Sequence, residues 1–149
     1  MRIVLVHPKG SNWVPGRQDI TATANRMAPL GLLSIAAWLD QEGNEVFVHD
    51  CLGPHVPKNN AAHAKTILGY HPDLVGFSAT TSGFLDGYDL AKRIKTACPE
   101  IQTVFGGVHV SSMGMVLLKD FEHIDFLCRG EGEVTLAYLA SGMEHRLIE

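Results

Sequence analysis

No two cysteines in this chain are spaced C-x-x-C. The three present, Cys51, Cys98 and Cys128, are far apart and odd in number. That usage suits neither a disulfide framework nor a zinc site, and it fits reduced thiols in a cytoplasmic protein. There is no cluster of Lys and Arg, and the net charge is −4. A binder of nucleic-acid backbones normally carries a basic face, so nucleic acid is not an expected partner. No apolar run approaches the ~20 residues of a membrane span. The opening Met1-Arg-Ile-Val-Leu-Val-His7 stops at Pro8 and is too short for the apolar region of a signal peptide. With 149 residues, the chain is one domain's worth, spanning 1–149 and long enough for a hydrophobic core without staples.

What the sequence does contain is an alternation. Arg2 to Val6 is a short run of branched apolar residues and reads as a strand buried on both faces. A long polar connection with two prolines follows from His7 to about Arg26, and such loops are usually functional. Pro29 suits a helix's first turn, Leu30, Leu32, Leu33, Ala36, Ala37 and Leu39 give that helix a broad apolar face, and Gly43 closes it. Further strands are expected at Glu45 to His49, Asp73 to Phe77, Ile101 to Phe105 and Ile124 to Cys128. The intervening helices are expected near Ala61 to Leu68, from Phe84 to before Pro99, and from Ser112 to about Lys119. A last helix runs from about Gly132 to Ala140. Five strands joined by helical crossovers predict a doubly wound α/β fold. Its parallel sheet would be flavodoxin-like, in the order 2-1-3-4-5, with helices on both faces.

Ligands of such sheets bind at the carboxyl ends of the strands, near the switch point. Glycine-rich phosphate loops are absent after strand 1, where His7-Pro-Lys-Gly-Ser-Asn12 stands instead. A flavodoxin's hydroxyl-rich loop is absent too, since Thr21 and Thr23 come too late. A phosphoacceptor receiver needs acidic residues after strand 1, an Asp ending strand 3 and a Lys ending strand 5. His7, Ser78 and Arg129 occupy those places. A metal held by His7, His49, Asp50 and His109 is the rival the residue types allow, but no H-x-x-x-H or H-x-H pair supports it, and no metal ligand is assigned. Cys128 reads as a small core residue. Gly106-Gly-Val-His109, after strand 4, is either a tight turn or a place where something flat lies against the backbone.

Taken together, Pro29-Leu-Gly-Leu-Leu-Ser-Ile-Ala-Ala-Trp-Leu39, Gly43-Asn-Glu-Val46, Asp50, Pro72-Asp-Leu-Val-Gly-Phe-Ser78, Gly106-Gly-Val-His109 and Gly130-Glu-Gly-Glu133 form a pattern. It resembles the amino-terminal cobalamin-binding domain of cobalamin-dependent radical S-adenosylmethionine (SAM) enzymes, of the anaerobic magnesium-protoporphyrin monomethyl ester cyclase type. The resemblance implies a corrinoid across the carboxyl edge of the sheet, with its nucleotide tail in the crevice. Gly106 and Gly107 would leave room for the tail. Ser78, Thr80 and Thr81 would hydrogen-bond it, and the helix end after His109 would face the tail phosphate. His109 would be a second hydrogen-bonder, with Gly130 and Glu131 completing the site. The Asp-x-His-x-x-Gly motif of cobalamin-dependent mutases is missing after Val6, which implies base-off binding with no protein histidine on cobalt. The CxxxCxxC motif of a radical enzyme is missing as well. The [4Fe–4S] cluster, S-adenosylmethionine and the catalytic barrel would then belong to another domain, in cis or as a partner, and this chain alone would not be catalytic. The rival readings are a domain binding a nucleotide or metal at the same edge, and a non-catalytic interaction domain.

Overall fold

The computed structural model describes residues 1–10, 27–57 and 59–142. Most of the polar connection expected between His7 and Arg26 therefore lies outside the described residues. Five strands form one parallel sheet in the order β2-β1-β3-β4-β5. They are β1 (Arg2–His7), β2 (Glu45–Asp50), β3 (Leu74–Ser78), β4 (Gln102–Gly106) and β5 (Phe126–Leu127). The helices are α1 (Leu30–Gln41), α2 (Asn60–Leu68), α3 (Phe84–Ala97), α4 (Val108–Met113), α5 (Val116–Asp120) and α6 (Gly132–Ala140). The doubly wound fold and its strand order are as the alternation predicts.

The central strand accounts for the layers. Ile3, Val4, Leu5 and Val6 of β1 are all fully buried, so successive side chains must be covered on opposite faces. Ile3 and Leu5 join Leu32 and Leu39 of α1 and Leu136 and Leu139 of α6. Val4 and Val6 join Ala64 and Ile67 of α2, Leu90 and Ile94 of α3, and Phe77 and Phe105, whose rings stack at 4.6 Å. The sheet thus separates an α1/α6 face from an α2/α3 face.

Three differences from the expected elements have physical causes. The apolar face of α1 is wider than the stripe the sheet covers. Leu32 and Leu39 are buried, whereas Leu30, Leu33 and Trp38 remain exposed. The helix expected from Ser112 is two short ones, because Gly107 (φ 95°) starts α4 early and Gly114 (φ 63°) ends it. The fifth strand is only two residues long. Its flanks stay attached through Asp125 N–H to the Thr103 carbonyl (3.1 Å) and Cys128 N–H to the Phe105 carbonyl (2.8 Å).

Candidate functional site

β1 and β3 are neighbours in the sheet, but the chain leaves β1 toward β2 on one side and reaches β3 on the other. Crossovers on opposite sides leave a crevice at the carboxyl ends of these strands. On the α1/α6 face that crevice has a volume of ≈190 Å³, floored by Leu5, Gly76, Val104 and Leu136. A second hollow of ≈240 Å³, reaching His7 and Pro8, shares Gly31, Leu32 and Ser78 with it. The walls are unusually poor in side chains. Gly31, Gly106, Gly107, Gly130 and Gly132 all line the first hollow.

These glycines serve different ends. Gly107 lies at φ 95°, and a Cβ there would stand 2.8 Å from the Ala79 carbonyl oxygen. Its missing side chain lets the chain leaving β3 cross close by, where Ala79 N–H donates to the Gly106 carbonyl (2.9 Å) and His109 N–H to the Ala79 carbonyl (3.3 Å). A Cβ on Gly106 would touch the Cys128 carbonyl oxygen at 3.4 Å. Both therefore belong to the turn as much as to the crevice. At Gly31 and Gly130 no atom lies within 4 Å of a Cβ position, so the space they leave is open. Gly130 adopts φ 74°, and its N–H donates to Ser111 Oγ (3.2 Å).

Of the hydroxyl residues expected at the site, Ser78 ends β3 and lines both hollows. Thr80 lines the second hollow, and its Oγ1 lies 3.1 Å from Ser82 Oγ while accepting from Gly83 N–H (3.3 Å). Thr81 Oγ1 lies 3.3 Å from His109 Nδ1, and the His109 ring packs on Phe84 with centroids 4.5 Å apart. Neither Thr81 nor His109 lines either of these two hollows. Helix α4 starts at Val108, before His109 rather than after it, and the His109 N–H is already engaged by the Ala79 carbonyl. Glu131 is the N-cap residue of α6 and borders the crevice. Glu133 accepts from Ser34 Oγ (2.8 Å) and so ties α6 to α1 across the mouth. Burial raises the pKa of Cys128, which keeps its thiol neutral in the crevice wall. His7 Nδ1 pairs with Asp50 Oδ1 at 3.0 Å across the ends of β1 and β2.

Gly31, Gly76 and Gly132 line the crevice and were not singled out by the motif reading. A glycine flanked by leucines in a helix's first turn costs up to ~1 kcal/mol against alanine, and that cost was the available signal at Gly31.

Known proteins resemble this chain in sequence and in fold. The chain is 32% identical to an uncharacterized methyltransferase of Pyrococcus horikoshii over 96% of its own length and 29% of that protein. It is 31% identical to an anaerobic magnesium-protoporphyrin IX monomethyl ester cyclase of Synechocystis over 97% of its length and 28% of the cyclase. It is 28% identical to a hopanoid C-3 methylase of Methylococcus capsulatus, over 27% of that protein. The chain thus spans between a quarter and a third of the length of these relatives. A response-regulator receiver domain from Clostridium thermocellum shares the fold alone, with a TM-score of 0.57 at 15% identity over 95% of this chain and 94% of the receiver. No described helix is long and apolar enough to cross a membrane. Residues 17–140 match the B12 binding domain family, and the chain belongs to that family.

Proposed function

We propose that this chain holds a cobalamin at the carboxyl edge of its sheet, with the nucleotide tail in the crevice between α1 and α6. The observation that carries the reading is the open space at Gly31 and Gly130 above an apolar floor. A flat heteroaromatic ring needs wall positions without Cβ atoms and an apolar base, and Gly31, Gly130 and the floor residues suit it. Ser78 and the backbone around Gly130 and Glu131 provide polar groups at its rim, suited to a ribose or phosphate. Thr80, already bonded in its own turn, borders the adjoining hollow. Thr81 and His109 act as supports for the loop. Bound cobalamin supplies a cobalt centre for methyl or electron transfer; the residues of this chain bind and orient it.

Cobalt in this reading is base-off and carries no protein histidine. The absence of Asp-x-His-x-x-Gly after β1 supports that assignment. Electron paramagnetic resonance of the Co(II) form tests it. A spectrum without nitrogen coupling from a lower ligand is expected. Coupling that disappears in His7→Gln would instead assign the ligand to His7, whose Nδ1 is held by Asp50.

The longer relatives lead to a second proposal. The radical chemistry, with its [4Fe–4S] cluster and S-adenosylmethionine, sits in a barrel domain in cis or on a partner, and its outcome is methyl transfer or oxidative cyclisation. Cysteines 51, 98 and 128 provide no CxxxCxxC. The chain alone should therefore release no 5′-deoxyadenosine from S-adenosylmethionine, as chromatography would show.

The direct test is to mix the protein with hydroxocobalamin under reducing conditions and desalt it. The protein fraction should be coloured, and cobalamin at 100 times its Kd should raise Tm by about 8 °C, since it adds roughly 2.7 kcal/mol. Gly31→Leu should fold and lose retention, because its side chain fills open crevice. Undiminished retention by Gly31→Leu would remove the crevice from the site.

A further inference from the structure

The α2/α3 face, opposite the crevice, holds a buried group of side chains that no part of the cobalamin reading uses. His49, at the end of β2, and His63, in α2, are 6% and 0% exposed, with His49 Nε2 and His63 Nδ1 2.9 Å apart. Cys51, two residues beyond His49 and 4% exposed, completes the group. One ring nitrogen of each histidine and the Cys51 sulfur all lie within 4.8 Å of one another. Among the described residues, this is the only set of three or more His, Cys, Asp or Glu side chains whose ligand atoms converge. Of His7, His49, Asp50 and His109, which the sequence offered for a metal, only His49 is in it.

We propose that His49, Cys51 and His63 bind a zinc ion. Around tetrahedral zinc, with Zn–N near 2.0–2.1 Å and Zn–S near 2.3 Å, ligand atoms stand about 3.3–3.6 Å apart. The trio therefore needs only small side-chain adjustments to close on an ion. Two imidazoles and a thiolate suit zinc's preference for nitrogen and sulfur.

The surroundings supply a second argument. His63 Nε2 is buried and makes no hydrogen bond. A hydrogen on Nε2 leaves the Nδ1 lone pair facing His49 Nε2, 2.9 Å away. Asp86 has a buried Oδ2 without a partner, and its charge, like that of Asp50, acts on Cys51. Lys9 is the opposing cation, acting on His63. A dication with the Cys51 thiolate, Asp50, Asp86 and Lys9 makes a neutral set, as a buried ion requires.

The spacing His-x-Cys, with the second histidine on another element, explains why no zinc pattern is visible in the sequence. The trio lies on the other face of the sheet from the glycine-lined crevice. Zinc binding and cobalamin retention can therefore fail independently.

Untagged, corrinoid-free protein is treated with zinc, desalted and assayed by mass spectrometry for metal content, then reconstituted with inorganic Co(II) for absorption spectroscopy. One zinc per chain is expected, together with thiolate-to-Co(II) charge transfer and the strong d–d bands of a tetrahedral site. Cys51→Ser should abolish the charge transfer, and His63→Gln should weaken zinc at least tenfold or so. If either variant fails to fold, peptide mapping of the parent decides the matter, because zinc should shield Cys51 from alkylation in mild denaturant. Protein that keeps no zinc after desalting, or zinc that leaves Cys51 unshielded, would make the trio a metal-free polar cluster and overturn the proposal.

Discussion

Gly107 and Gly31 show how one residue type does opposite work. Gly107 combines φ 95° with a Cβ position 2.8 Å from a carbonyl oxygen, so a side chain there strains backbone that cannot move aside. Gly107→Ala should destabilise the fold by about 1–3 kcal/mol in urea titration. Gly31→Ala, in an open first helical turn, should be neutral or stabilising by up to ~1 kcal/mol. The adjacent glycines after β4 were legible as special, but their partner was not, because Ala79 comes from a different strand. The reverse holds for Gly31, whose openness depends on where α6 lies. The cysteines differ at the same scale. Cys51 and Cys128 are buried, and burial beside Asp50 and Asp86 pushes the Cys51 thiol up to about 12. Cys98 is only partly buried. Timed alkylation of the native protein, followed by peptide mapping, should label Cys98 first.

Among the elements, α2 and α3 are joined by more than their apolar stripes. Asn60 Nδ2 donates to Asp89 Oδ2 (2.9 Å), as does Arg93 Nε (2.9 Å). Partial burial opposes ionisation of Asp89, but these hydrogen bonds and the Arg93 charge outweigh it and lower its pKa below 3.8. A lowered carboxyl pKa gives stability that is present above pH 3.8 and lost as the pH falls through the folded-state value. Asp89→Asn should therefore lower Tm slightly at neutral pH and flatten the loss of stability below about pH 4. At the far edge, Thr103, fully buried in β4, donates its hydroxyl to the His123 carbonyl (2.7 Å), and its N–H donates to Asp125 Oδ2 (2.8 Å). Lys95 of α3 also donates to that carboxylate, at 2.7 Å. These bonds hold β5 where its two-residue ladder is too short to do so. Thr103→Val should cost about 1–3 kcal/mol by leaving the His123 carbonyl unmatched. Strand positions were legible from apolar runs. The length of β5 was not, because beyond the one backbone bond from Asp125 to Thr103 the Asp125 carboxylate, held by Lys95 and the Thr103 N–H, replaces further ladder. Val108-His-Val110 also hides a helix behind β-branched residues, and the left-handed turn at Gly107 settles it.

For the molecule as a whole, the sheet divides two kinds of chemistry. The α1/α6 face carries the glycine-lined crevice, and the α2/α3 face carries the buried His49, Cys51 and His63. The alternation of strands and helices was enough to give the topology, since parallel pairing with right-handed crossovers leaves few arrangements. The family resemblance supplied the ligand class. Which side chains meet across the layers depends on packing, and no local pattern encodes it.

The strand order also bears on how the chain is made. Ile3 of β1 pairs with Val46 on one side and with Leu74 on the other. During synthesis, β1 therefore emerges before both of its sheet neighbours and keeps one edge unpaired until β3 is made. Ile3-Val-Leu-Val6 waits as a bare, aggregation-prone apolar segment until β3 arrives. Nascent chains stalled before Leu74 should bind an apolar-selective chaperone, and those stalled beyond β4 should release it.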